Sequence, residues 1–105
     1  MTADKRHLKK LYRSLFQAVV SCFNQWDPIG LIAGGGPADE YHLEAAHLLT
    51  VLRDCQEPAD VGRCAHEVLY QWFGPTPTQP QAVEALAADV WRLWTDYQTG
   101  CAGEV

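Results

Sequence analysis

Apolar residues recur at spacings of three and four residues through the first quarter of the chain, and polar or charged residues fill the positions between them. An α-helix completes a turn every 3.6 residues, so this spacing places the apolar side chains on one face. The pattern predicts a long amphipathic helix over residues 4–26. Its apolar face comprises Leu8, Leu11, Tyr12, Leu15, Phe16, Val19, Cys22, Phe23 and Trp26.

Three further stripes with the same spacing predict helices over residues 38–55, 58–73 and 81–98. Pro58 marks the start of the third helix, and Gly74 followed by Pro75 marks its end. The three apolar faces are, in chain order, Tyr41, Ala45, Leu48, Leu49, Leu52 and Cys55; Val61, Ala65, Val68, Leu69, Trp72 and Phe73; and Val83, Leu86, Ala87, Val90, Leu93, Trp94 and Tyr97.

The four stripes together predict an all-α fold, because no stretch alternates with the period of two that is typical of a strand. A chain of 105 residues has the size of one domain. We therefore expect a single compact bundle of about four helices over residues 1–105. The Pro-rich linker at residues 74–80 would allow the fourth helix to cross the others at a steep angle, and residues 99–105 are expected to fray.

The segment between the first two helices, residues 27–37, contains three successive glycines followed by Pro37. Asp27, Pro28 and Gly30 have the order typical of a type I turn, which would end the first helix. Leu31 and Ile32 could then cover the open end of the bundle. A phosphate-binding loop is the other hypothesis for such glycines, since helix N-termini bind anions.

Charge argues against the phosphate loop. Asp39 and Glu40 follow the glycines, at the place where a Walker loop carries Lys and Ser or Thr. Their carboxylates complement the free N–H groups and the positive end of the second helix, and Pro37 suits its first position. We interpret the segment as a hinge between two helices.

The net charge of −5 is unevenly distributed, because five of the eight Lys and Arg residues lie within the first 13 positions. An acidic surface repels the phosphates of nucleic acid, and the single basic patch is too small to bind them, so we expect no nucleic-acid partner. The start of the chain lacks the apolar core of a secretory signal, and no run is long enough to cross a membrane. These features predict a cytoplasmic protein without membrane contact. The four cysteines lack metal-finger spacing and are expected to be reduced thiols.

Candidate metal chemistry is confined to one flank of the second helix, where Glu40, Glu44 and His47 lie at i, i+4 and i+7. Glu44 and His47 match half of a bundle di-metal site, but no second Glu-x-x-His exists, and His66 lacks ligand spacing. We interpret the flank as solvated. No local motif supports nucleophilic catalysis, so we expect no catalytic residue, cofactor or bound metal.

Trp91 lies at the edge of the fourth apolar face and Leu43 lies opposite the second, so both are candidate interface residues, although a single exposed leucine usually has no function. Four tryptophans are also more aromatic surface than a bundle of this size must bury, which makes a homodimer plausible.

One sixteen-residue string, WDPIGLIAGGGPADEY at residues 26–41, is followed by YQWFG at residues 70–74. It resembles the motif of a family of small bacterial helical proteins of unknown function, written W-D-P-[IL]-G-L-L-x-G-x-A/G-P-x-D-E-Y with a closing W-F-G or F-F-G. The third glycine of this chain replaces the alanine common in that family, and about half of the chain is covered. The resemblance implies an all-α fold, a role similar to that of small immunity-type proteins, and no catalytic residues. The matching positions are Trp26, Asp27, Pro28, Gly30, Pro37, Asp39, Glu40 and Tyr41.

Our leading hypothesis from the sequence is a non-enzymatic protein–protein interaction module, of immunity or antitoxin type, that binds a basic protein partner. The expected contact surface is the acidic and aromatic rim formed by Asp39, Glu40 and Tyr41. The alternative is a metal-binding or enzymatic protein that uses Glu40, Glu44, His47 and His66.

Overall fold

A computed structural model describes residues 5–30, 35, 41–74 and 80–103 of the chain. Within these ranges the chain forms four α-helices and one 3-10 turn, with no strand, which confirms the all-α prediction. The helices are α1 (Lys5–Trp26), α2 (His42–Val51), α3 (Pro58–Phe73) and α4 (Pro80–Gly103), and the 3-10 turn spans Leu52–Asp54. Among the described helices, none combines the length and hydropathy needed to cross a bilayer.

The second helix is shorter than the run 38–55 that the sequence predicts. It begins at His42, after Tyr41, and its last turn narrows into the 3-10 helix before Cys55 adopts an extended conformation. Pro58 sets the start of α3, because a proline restricts the preceding residue to extended backbone; Glu57 has φ −154° and ψ 164°. The predicted positions 38–40 lie outside the described residues.

The fourth helix is longer than its predicted range of 81–98. It continues to Gly103, whereas the sequence predicts an end at residue 98. The glycines at 100 and 103 lower helix propensity and suggested an earlier end. Thr99 instead donates its hydroxyl proton to the carbonyl oxygen of Thr95, at 2.9 Å, within a continuous helix.

The core lies where the four apolar faces meet. Helix α4 packs against both α1 and α3, and α2 packs against the same two helices. The centres of all four predicted faces are buried: Leu15, Val19 and Phe23 from α1, Ala45, Leu48 and Leu49 from α2, Val61, Ala65 and Leu69 from α3, and Val83, Leu86 and Val90 from α4.

Two aromatic residues assigned to core faces are instead half exposed. Tyr12 and Trp72 each keep 46% of their surface in contact with solvent. Tyr12 lies at the edge of the α1 face, where its ring contacts Tyr97 of α4 edge-on at 6.3 Å. Trp72 lies in the last turn of α3, beyond the buried Val68 and Leu69. Helical spacing indicates a direction around the axis but not how far the neighbouring helix extends.

Gly62 in α3 provides a test of the packing between α3 and α4. A Cβ atom at this position would lie 3.7 Å from the Cβ of Ala87, an ordinary van der Waals contact. Glycine lowers helix stability relative to alanine, so we expect Gly62→Ala to raise the free energy of unfolding by about 0.5–1 kcal/mol. Urea unfolding followed by circular dichroism measures the difference.

Gly74→Ala is the matched control, because Gly74 caps α3 at a φ of 68°, where side chains are strained. That variant should be destabilised by about 1 kcal/mol. A loss of stability in Gly62→Ala would contradict the close but unstrained helix contact.

Candidate functional site

Tyr41, the last residue of the sequence motif, is completely buried. Its hydroxyl donates a hydrogen bond to Oδ1 of Asp27 at 2.6 Å and accepts one from the backbone N–H of Ile29 at 3.1 Å. A buried phenol needs such partners, and a bond to a carboxylate is stronger than one between neutral groups. The two ends of the inter-helix segment are therefore held together at this hydroxyl.

Asp27 forms the C-terminal cap of α1. Its backbone N–H bonds the carbonyl oxygen of Phe23 at 2.7 Å, and its own carbonyl accepts the N–H of Gly30 at 3.0 Å. The second bond closes the predicted turn over residues 27–30. Asp27 has a φ of 46°, in the left-handed region that glycine usually occupies, and aspartate is among the few other residues that tolerate it. The bond to Tyr41 explains why a carboxylate is useful at this strained position.

Phe23, Pro28 and Trp26 complete the cluster around Tyr41 and Asp27. The Phe23 ring stacks on the Tyr41 ring with centroids 5.5 Å apart, and Pro28 is fully buried. Trp26 contacts a different helix, because its indole Nε1 donates to Oδ2 of Asp89 in α4 at 2.8 Å. We call Phe23, Trp26, Asp27, Pro28 and Tyr41 the hinge cluster. Each member packs or bonds inside the protein, so the cluster has a structural role.

The predicted interaction rim must therefore be corrected at Tyr41, since a fully buried side chain cannot contact a partner. Pro37, Asp39 and Glu40 lie outside the described residues, as do Leu31 and Ile32. Gly30 is the last residue of the turn and has a φ of 85°. Trp91 is only partly exposed and packs against the core, so it is a weaker interface candidate than the sequence suggests.

The flank of α2 that carries Glu44 and His47 also differs from its interpretation as solvated. Glu44 is only 4% exposed and lies in the first turn of α2, where the positive end of the helix stabilises a carboxylate. Glu40 lies outside the described residues. In the part of the chain that the structure describes, no three His, Cys, Asp or Glu side chains are close enough together to hold a metal ion.

The largest exposed aromatic surface lies on α3, on the side opposite its core face. Tyr70 is 63% exposed and borders a shallow pocket of about 370 Å³ together with His66, Glu67 and Gln71. We call these four residues the α3 surface. His66 also borders a second groove, of about 410 Å³, which lies between α3 and α4 and contains Glu84 and Gly62. The two depressions therefore meet at His66.

Sequence reasoning missed the α3 surface, although one signal was present. Tyr70 falls outside the apolar face formed by Val61, Ala65, Val68 and Leu69. An aromatic residue on the polar face of a helix is unusual enough to be an interface candidate.

No known protein family, curated protein or solved structure matches this chain. The resemblance of residues 26–41 to a family of small helical proteins therefore stays a prediction.

The Tyr41 hydroxyl can be tested by removing a single oxygen atom. Tyr41→Phe keeps the buried ring but leaves the Asp27 carboxylate and the Ile29 N–H without this partner. We expect the free energy of unfolding to fall by about 1–3 kcal/mol, measured by urea unfolding. The control is Tyr70→Phe, which changes an exposed hydroxyl and should shift stability by less than about 0.5 kcal/mol. Equal stabilities for the two variants would refute the structural role of the hydroxyl.

The bond between Trp26 and Asp89 can be isolated by a double-mutant cycle with Trp26→Phe and Asp89→Ala. Because the indole N–H and the carboxylate lie 2.8 Å apart, we expect a coupling energy of about 1 kcal/mol. The cycle is needed because Asp89 also accepts a hydrogen bond from Arg92 at 2.7 Å, which Asp89→Ala removes as well. Additive effects of the two substitutions would show that this bond does not tie α1 to α4.

Proposed function

We propose that this chain is a non-enzymatic interaction domain that binds a partner protein through the α3 surface. The observation that carries the proposal is the exposure of Tyr70, at 63%, beside a pocket of about 370 Å³. Tyrosine is enriched at protein interfaces because its ring offers a large apolar area and its hydroxyl a hydrogen bond. A partner side chain that enters the pocket would cover the ring.

The expected partner is basic. The α3 surface contains Glu67, the adjoining groove contains Glu84, and the whole chain has a net charge of −5. Opposite charges accelerate encounter and suppress contacts with acidic proteins. The negative net charge also supports a more specific proposal, an immunity or antitoxin-type role in which the acidic domain neutralises a basic toxin.

The proposed contact surface is thus the α3 surface and no longer the rim at residues 39–41. Tyr41 and Asp27 bond to each other inside the protein, and Pro28 is fully buried. The hinge cluster would contribute by holding the helices in place. A second copy of the chain is the competing occupant of the α3 surface, and the oligomeric state in solution distinguishes the two.

The test is partner capture from native lysate with wild-type protein, Tyr70→Ala and Glu67→Lys. We expect a basic protein to be recovered by wild type and reduced at least about tenfold by Tyr70→Ala, as is usual for a central aromatic contact. Glu67→Lys should weaken recovery most strongly at low salt, because the charge contribution is screened at high salt.

Leu43→Ala is the matched control, since Leu43 is 57% exposed but lies on α2. It should recover the partner as wild type does, and all variants should retain the wild-type circular dichroism spectrum. Undiminished recovery by Tyr70→Ala would exclude the α3 surface. Light scattering that shows a dimer lost only in Tyr70→Ala would assign the surface to self-association instead.

A further inference from the structure

Two cysteine side chains meet where the 3-10 turn joins α3. The Sγ atoms of Cys55 and Cys64 lie 3.8 Å apart, in direct contact, and both thiols are free. Cys55 is 8% exposed, whereas Cys64 is only partly buried. Their separation of nine residues matches no short redox motif, which is why the sequence indicated only reduced thiols.

The backbone around this pair is held by several bonds. Asp60, in the first turn of α3, accepts the N–H of Gln56 at 2.9 Å and pairs with Arg63 on its other oxygen. Its own N–H bonds the carbonyl of Glu57 at 3.0 Å. The hydrogen bond from Gln56, supported by Arg63, lowers the pKa of the Asp60 carboxyl, so the carboxylate that accepts these two bonds stays ionised at more acidic pH than an ordinary aspartate. The contact between the two thiols thus follows from the backbone geometry of the segment that connects the 3-10 turn to α3.

We propose that Cys55 and Cys64 form a reversible intramolecular disulfide when the folded protein meets a low-molecular-weight disulfide such as oxidised glutathione. The pair is distinct from Tyr70, which lies six residues further along α3 and about 120° around the helix axis from Cys64. The two Sγ atoms, 3.8 Å apart, must approach by about 1.8 Å to reach the length of a disulfide bond, whereas distant cysteines need large backbone movement.

The reaction begins at Cys64, the more accessible thiol. Its thiolate attacks one sulfur of the small disulfide, forming a mixed disulfide and releasing one small thiolate, which takes up the proton that Cys64 lost. Cys55 then loses its proton and attacks the Cys64 sulfur, which releases the second small thiol. Two electrons pass from the cysteine pair to the small disulfide, which leaves as two thiols.

Cys55 is suited to the second step rather than the first. Burial, with the hydrogen bond and charge of Cys64, raises the pKa of the Cys55 thiol to about 12, so it reacts poorly with external reagents. Conversion of Cys64 to a mixed disulfide removes the hydrogen bond and charge of Cys64 from these causes, whereas burial and the Asp60 and Asp54 carboxylates continue to raise the pKa of Cys55. The second step therefore depends on proximity, because the Cys64 sulfur that Cys55 attacks is already in contact with it.

Peptide mapping can identify the bond directly. Trypsin cleaves after Arg53, Arg63 and Arg92, so Cys55 and Cys64 fall in separate peptides, 54–63 and 64–92, while Cys22 and Cys101 fall in two others. After the folded full-length chain is incubated with oxidised glutathione and free thiols are alkylated, we expect the 54–63 and 64–92 peptides to be linked. Two of the four thiols should be lost, and dithiothreitol should restore them.

The unfolding temperature gives a second readout. A bond that closes a short loop restricts the unfolded chain, so the oxidised protein should unfold at a temperature higher by roughly 5 °C or more. Cys22 serves as the internal control, because burial, with the nearby Asp89 carboxylate, raises the pKa of its thiol and it should stay reduced.

Single variants distinguish the order of events. Cys55→Ser should stop at a stable glutathione adduct on Cys64, whereas Cys64→Ser should leave Cys55 unmodified in the folded protein. The wild-type mapping decides the matter even if a variant fails to fold. A glutathione adduct on Cys64 as the only wild-type product, linkage spread equally over all four cysteines, or no loss of thiols would each overturn the proposal.

Discussion

The hydroxyl of Tyr41 is the contact on which the arrangement of the first two helices depends. It joins the carboxylate of Asp27 to the backbone N–H of Ile29, so both sides of the inter-helix segment meet at one buried oxygen. A buried polar group without partners would cost about 1–3 kcal/mol, which is a large part of the stability of a small domain. The aromatic stack on Phe23 then aligns the end of α1 with the start of α2.

Helix α3 brings three different roles together around one axis. Val61, Ala65 and Leu69 contribute to the core, Tyr70 lies exposed on the opposite side, and Cys64 contacts Cys55 near the N-terminal end. A helix presents a new face every 3.6 residues, so sixteen residues can serve core packing, partner contact and thiol chemistry without conflict. The proposed interaction surface and the proposed disulfide are therefore separable by mutation.

Single residues were sufficient to predict the bounds of a helix where their own backbone geometry sets those bounds. The predicted range of α3 equals the observed Pro58–Phe73, because Pro58 and Gly74 act through backbone geometry that no distant contact changes. The range of α2 was predicted less well, since its narrowing into a 3-10 turn depends on how the chain enters the next helix. Tyr12 and Trp72 were assigned to the core, but both are half exposed, because burial also requires a neighbour.

The sequence by itself determined the helical class, the positions of the apolar faces and the turn after α1, since each follows from periodicity or from the backbone preferences of Pro, Gly and Asp. Only the tertiary structure decided what Trp26, Asp27 and Tyr41 of the motif do. Tyr41 and Asp27 are fourteen positions apart, and Trp26 bonds to Asp89 sixty-three positions away. From the sequence, a tyrosine beside acidic residues could equally be an exposed contact for a partner or a buried side chain that holds two helices together. The packing of α1 against its neighbours buries the Tyr41 phenol, so this tyrosine has the second role.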